Sequence, residues 1–212
     1  MTTEDYNGHK FHTGTGSQER MFAEADKKGH KFFVAKDTAY TDSVGDGMIG
    51  KAYASFPSIE EFCDSYYYPR HQGKWWLYEL IREDTPCRLY FDVDGDTRPV
   101  AEVQKDIENA AKLIASWRKG TVEEVVVAES TKGKKRGLHF VVHGLHYRSN
   151  VEQKEDVEKA VEALKLANID IKVYTRNRLF RLPYSTKINE IRPLIPVGSW
   201  DVEDFIVGIQ GQ

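Results

Sequence analysis

The chain has 212 residues, 40% of them hydrophobic and 30% charged, with a net charge of -3. That length allows one large domain or two small subdomains sharing a core, and the charge balance argues against a generic nucleic-acid coat. No apolar run reaches the roughly 20 residues of a membrane span. The N-terminus lacks a secretory h-region, and two cysteines, Cys63 and Cys87, are too few for a disulfide framework or a CxxC zinc knuckle. The expectation is an intracellular, non-secreted protein in a reducing compartment with no membrane partner.

Residues 1–17 are polar and glycine-containing (Gly8, Gly14, Gly16) and are expected to form a flexible tail. Residues 18–28 read as a short helix, 31–35 as a strand, and 41–50, with Gly45, Gly47 and Gly50, as a loop. Ser58 followed by Glu61 has capping-box spacing, which predicts a helix start there and an end before Pro69. Residues 75–81 and 87–94 are β-rich runs joined by the polar turn 82–86. Val103, Ile107, Ala110, Ala111 and Ile114 recur at helical spacing within 100–117, and Gly120 is placed to stop that helix. Strands are expected at 122–128 and 138–143. A helix follows at 151–166, with Val157, Val161, Leu164 and Leu166 inward. Short strands are expected at 169–174, 179–182 and 192–197. From residue 87 the order is β-α-β-β-α-β. The expected fold is therefore α+β: an RNA-recognition-motif-like (ferredoxin-like) core over 87–200, a smaller N-terminal α/β module over 18–86, the tail 1–17, and a C-terminal segment 201–212.

Charge is unevenly placed. Residues 131–148 hold Lys132, Lys134, Lys135, Arg136 and Arg148 and no acid; residues 171–192 hold Lys172, Arg176, Arg178, Arg181, Lys187 and Arg192 against Glu190. Such clusters on an acidic remainder point to a local anionic ligand, or to two solvated loops.

Asp92 and Asp94 are two apart on an expected strand and so share a face. Two adjacent carboxylates repel each other, and a hard divalent cation relieves the repulsion. Leu89, Phe91 and Val93 between and before them argue for a packed strand rather than a solvated acidic end. An EF-hand would need glycine and glutamate where Thr97 and Val103 stand, and a DxDGT phosphatase would need threonine at Asp96. Asp170 begins the last core strand, which in this topology flanks the first and brings a third carboxylate near. Three carboxylates suit two metals and a triphosphate. His139, His143 and His146 lack a fourth ligand for zinc. The set Tyr66, Tyr67, Tyr68, Trp75 and Trp76 belongs to a core or, for exposed members, to a base-stacking groove. The segment 131–135 lacks P-loop spacing and is expected as a mobile basic loop.

Three stretches, taken together, resemble the archaeo-eukaryotic primases, and most of all the primase-polymerase (PrimPol) and herpesvirus-primase-like branch. They are Phe91-Asp-Val-Asp94, Lys135-Arg-Gly-Leu-His139, and Asp170 through Leu182 followed by Ser185-Thr-Lys187. The likeness covers roughly residues 50–195 and is strongest after Cys87. It implies Asp92, Asp94 and Asp170 as ligands of two Mg2+ or Mn2+ ions, with His139 in the catalytic set. Lys135 and His139 are implied as triphosphate contacts, Arg178 and Lys187 as contacts to the incoming nucleotide, Arg181 in the same pocket or on the template, and Lys51 as a nucleotide contact from the N-terminal module. Gly137 departs from the family, which has serine there; one hydroxyl contact to phosphate is lost, and a backbone N–H is left to replace it. The implied partners are a single-stranded DNA template, a primer strand and dNTPs or NTPs, with a replicative helicase in cis or in trans; the implied setting is the cytoplasm, the nucleus or a virus factory. The implied function is DNA-dependent primase-polymerase activity by two-metal nucleotidyl transfer, in replication or priming. The alternatives are a DxD metal-dependent phosphatase or hydrolase, and a catalytically degenerate nucleic-acid-binding module.

Overall fold

A computed structural model describes residues 2–4, 9–41, 47–70 and 76–209. The expectations attached to Gly8, Gly45, Trp75 and residues 210–212 lie outside the described residues. The elements run β1 (Thr2–Glu4), β2 (Lys10–His12), α1 (Ser17–Lys28), β3 (Phe32–Thr41), β4 (Gly47–Phe56), α2 (Ile59–Phe62), β5 (Leu77–Ile81), β6 (Cys87–Asp94), α3 (Val100–Arg118), β7 (Glu124–Lys132), β8 (Lys135–Tyr147), α4 (Gln153–Leu164), β9 (Arg178–Arg181) and β10 (Ile195–Pro196). Short non-α turns of helix occupy Cys63–Tyr67, Tyr68–Arg70, Ile171–Val173 and Val202–Phe205. The architecture is α+β with two antiparallel sheets, in the orders β1-β2-β4-β3-β5-β9 and β10-β7-β8-β6. Among the described residues no helix is long and apolar enough to cross a membrane.

The second sheet positions the site. Alternation along β6 places Leu89, Phe91 and Val93 on one face, where they join Val103, Ile107, Ala110, Ala111 and Ile114 of α3 in one buried cluster. Those five α3 positions are the ones that helical spacing singles out. Tyr90, Asp92 and Asp94 point the other way, and the Tyr90 ring meets Phe180 of β9 at 4.8 Å between centroids. Ser58 caps α2 by accepting from the Glu61 amide at 3.0 Å, as its spacing predicts. Both cysteines are free and buried.

Several expectations are corrected. The segment 1–17 is not a tail throughout: β2 pairs with β4 through His12 and Tyr53, and Phe11 is fully buried against Tyr66. A large ring at an internal position outweighs the polar residues around it. Phe11→Ala is expected to destabilise the protein by about 3–5 kcal/mol in urea unfolding, as for other buried aromatic truncations; a change within error would mean that this strand is not docked in solution. Residues 47–50, expected in a loop, begin the ten-residue strand β4, which pairs with β3 from Phe32–Phe56 to Thr41–Gly47. The basic segment 131–135 is a tight hairpin in which Lys132 pairs with Lys135 and Gly133 takes a positive φ of 59°.

The boundary at residues 86/87 is also crossed. β9 pairs with β5 of the first sheet, not with β6. The C-terminal segment returns between the sheets: Glu79 accepts the Val207 and Gly208 amides at 2.8 and 2.6 Å, and the Arg88 amide donates to Val207 O at 2.7 Å. The two modules of the sequence reading thus share strands and a strap.

Candidate metal centre

The expected strand at 169–174 contracts to one bridge, Val93 to Ile169, followed by a 3-10 turn. Asn168 at φ 66° bends the chain in, and the Asp170 carboxylate accepts the Lys172 amide at 2.9 Å, which starts the turn. The Asp170 amide donates to Asp92 O at 2.8 Å and the Asp94 amide to Asn168 O at 2.9 Å. These two backbone bonds hold the third carboxylate beside the first two. One oxygen from each of Asp92, Asp94 and Asp170 lies within 4.8 Å of the others. Gly95, at φ 78°, then turns the chain away.

Burial of Asp92, reinforced by the Asp94 and Asp170 charges, pushes its carboxyl up to about 7. The neighbouring acid behaves oppositely. Asp96 is held down at about 2 by hydrogen bonds from Arg98, at 2.8 Å for the Nη2 bond, so it is satisfied within the protein. Three mutually repelling carboxylates without such a partner form a hard, all-oxygen donor set that fits Mg2+ or Mn2+. Soft thiolate ligands are absent from it, and His143 is engaged elsewhere, with Nε2 2.9 Å from Asp204 O.

His139 stands opposite Asp92 across the β6–β8 ladder, with Nε2 3.7 Å from Asp92 Oδ1. Its ring stacks on Phe180, 4.2 Å between centroids and 23° between planes. Burial, and after it Arg181, Arg178, Arg192 and Lys187, keeps its pKa well below the usual value, so the imidazole is neutral. Its Nδ1 is buried and has no hydrogen-bond partner within the protein.

A cleft of about 640 Å³ adjoins this group, with Lys51, Tyr78, Arg178, Lys187 and Asn189 among its lining residues. Arg178 links the two regions, since its charge acts on both Asp92 and His139. Its Nε is buried and unpartnered. Lys51 lines the same cleft, where its ammonium pairs with Asp37 and lies 3.9 Å from the Tyr78 ring centroid. Asp37 also accepts Tyr78 Oη at 3.0 Å and the Ile188 amide at 3.1 Å, which fastens the segment after Lys187. Asp92, Asp94, Asp170, His139, Arg178, Arg181 and Lys187 are thus brought together. Lys135 is exposed beside the hairpin turn, opposite Lys132. Of the aromatic set, Tyr66 and Tyr67 are core, and Tyr68 is 39% exposed and donates to Glu203.

Two residues escape sequence reading. Ser130 is fully buried and faces Gly137 across the β7–β8 ladder, and a Cβ at Gly137 would lie 3.5 Å from Ser130 Oγ. A hydroxyl therefore stands next to the place where the sequence lacks one. Arg192 is 8% exposed, with Nη1 3.9 Å from that same Cβ position. The hairpin register is the signal that finds Ser130: once Lys132 pairs with Lys135, Ser130 must oppose Gly137 and Ala128 must oppose His139.

No protein-family model matches the chain. The chain is 25% identical over 207 residues to the uncharacterized protein ORF49 of Ostreid herpesvirus 1 (isolate France), in a match covering 81% of this chain. It spans 18% of the length of that viral protein.

Proposed function

We propose that this chain is the catalytic domain of a DNA-dependent primase-polymerase, transferring nucleotides from dNTPs or NTPs to a 3′-hydroxyl on a single-stranded DNA template. The observation that carries this reading is the convergence of Asp92, Asp94 and Asp170 within 4.8 Å, next to a neutral buried histidine and a cleft lined by Arg178 and Lys187. The strand order also supports it. β7, β8, β6 and the Ile169 bridge, with α3 and α4, follow the order of an RNA-recognition-motif-like core.

Asp92, Asp94 and Asp170 hold two divalent ions in this reading. Bound there, Mg2+ or Mn2+ supplies activation of the 3′-hydroxyl and charge neutralisation at the leaving pyrophosphate. The protein's own groups do the rest. Arg178 and Lys187 face the triphosphate with preorganised positive charge. Neutral His139, held flat on Phe180, offers a nitrogen to a phosphate oxygen without adding a charge beside Asp92. Template phosphates meet the basic hairpin of Lys132, Lys134 and Lys135. In this reading the chain acts in replication or priming, with a helicase in cis or in trans.

The test is priming and primer extension on single-stranded DNA with Mg2+ or Mn2+, comparing wild type with Asp92→Ala and His139→Ala. Incorporation by the wild type and its loss in both variants is expected. Equal activity in all three removes the site assignment, and hydrolysis of small phosphate esters without incorporation replaces the polymerase reading with a hydrolase.

A further inference from the structure

One buried carboxylate ties together three elements that line the cleft beside the metal centre. Asp37, on β3, is 5% exposed and itself lines that cleft. Its Oδ1 accepts the Lys51 ammonium of β4. Its Oδ2 accepts Tyr78 Oη of β5 at 3.0 Å and the Ile188 amide at 3.1 Å. Lys51, Tyr78 and Ile188 are all lining residues of the same cleft. Burial, and after it the Asp37 charge, raises the pKa of the Tyr78 hydroxyl, so it stays protonated and donates.

A bare carboxylate beside Arg178 and Lys187 would repel an anion that enters there. Asp37 is not bare, because donors occupy both its oxygens. An ammonium has three N–H donors, and a carboxylate held on one of them leaves the others aimed for a ligand. The Ile188 bond acts on a second cation. The turn that carries Lys187 is closed by the Glu190 amide on Lys187 O at 2.9 Å, and its base by the Arg192 amide on Thr186 Oγ1 and the Leu194 amide on Ser185 O, both at 3.0 Å. A turn stiffened in this way is placed by a single tie near its tip, and Asp37 supplies that tie.

We infer that Asp37 is a positioning residue for anion binding in this cleft, fixing Lys51 by a direct ion pair and Lys187 through the Ile188 amide, so that one carboxylate sets the spacing of two cations from different elements. This rests on the proposed function for the identity of the anion, a nucleoside triphosphate. Cations held in place before binding lose less freedom when the anion arrives.

A double-mutant cycle tests it. Binding of inorganic tripolyphosphate and of a non-hydrolysable nucleoside triphosphate, both in Mg2+, is measured by calorimetry for wild type, Asp37→Asn, Lys51→Met and the double variant. Asparagine keeps one oxygen for Tyr78 and Ile188 but turns an N–H toward Lys51, which breaks the ion pair and spares the turn. Each single variant is expected to bind both probes roughly tenfold more weakly, within the range for a lost hydrogen bond to a charged group, and the double variant no more weakly than either. Additive losses, an unchanged Asp37→Asn, or a wild type that binds neither probe overturns the inference. Asp37→Ala also frees the Ile188 amide and should lose more than Asp37→Asn, with the excess absent in a Lys187→Met background; an excess that persists there overturns the Lys187 half. In primer extension Asp37→Asn should raise the nucleotide KM about tenfold with kcat unchanged, and a fall in kcat alone overturns the positioning role. If Asp37→Asn fails to fold, Asp37→Glu, which keeps the charge and moves the carboxylate by one methylene, takes its place in the cycle under the same criteria. Coupled losses in a chain that never incorporates nucleotides keep the Asp37 assignment and remove the polymerase reading.

Discussion

Asp92→Asn is expected to abolish nucleotide incorporation and, with no divalent cation present, to make the protein more stable than wild type above neutral pH. Burial and the Asp94 and Asp170 charges raise the Asp92 carboxyl to about 7. A carboxyl raised on folding contributes stability that is fully present below its unfolded pKa, about 4, and is lost as pH rises through the folded value. A shift of that size corresponds to about 4 kcal/mol between pH 4 and pH 8. Asparagine cannot ionise, so the variant escapes the loss. Urea unfolding at pH 5 and pH 8, with and without Mg2+, measures this. Wild type should weaken more than Asp92→Asn between pH 5 and pH 8, and that extra loss should be recovered with Mg2+. Glu79, also pushed up to about 7 by its burial, titrates in the same window but is common to both proteins and cancels in the difference. Superimposable pH curves for the two would show that the carboxylates are not crowded as described. Incorporation should fall on the order of a thousandfold, as when one preorganised charge contact is removed from an active site.

His139→Phe is expected to separate stability from function. The imidazole is buried, neutral and stacked on Phe180, and its Nδ1 finds no partner in the protein. An unsatisfied buried nitrogen costs about 1–3 kcal/mol. Phenylalanine keeps the ring stack and removes the unpaired group, so the melting temperature should stay level or rise. On the proposed function, incorporation should drop roughly a hundredfold, because the nitrogen assigned to a substrate phosphate is gone. His139→Ala loses both, with about 2–4 kcal/mol of stability from the cavity. A Phe variant with wild-type incorporation would reduce His139 to a packing residue. These substitutions also bear on the gap between Asp92 and His139: at 3.7 Å the pair is too far apart for a direct hydrogen bond, which leaves both groups for a ligand.

Short-range periodicity carried much of the reading. The two-residue period of a strand places Asp92 and Asp94 on one face, and the 3.6-residue period of a helix marks the buried stripe of α3, both from sequence alone. The Ser58 cap is equally local. Features that depend on which strand meets which were legible only in part: strand order brought Asp170 near Asp92 and Asp94, but not the way it is held there. The approach of Asp170 depends on two backbone bonds to β6 and on a 3-10 turn in place of a strand. Leu179 and Phe180 look like another core strand but pair with β5, because β6 already has β8 on one side and the Ile169 bridge on the other. Phe11 is hidden among polar residues, and its burial is decided by the docking of β2 on β4. The carboxylate pair was thus determined by the sequence as two neighbours on one strand face. Tertiary structure decided how Asp170, expected near the pair from strand order, is held there, and that a neutral histidine, two buried arginines and Ser130 surround it, since hydrogen-bond register between distant segments is a property of the folded sheet and not of any local run of residues.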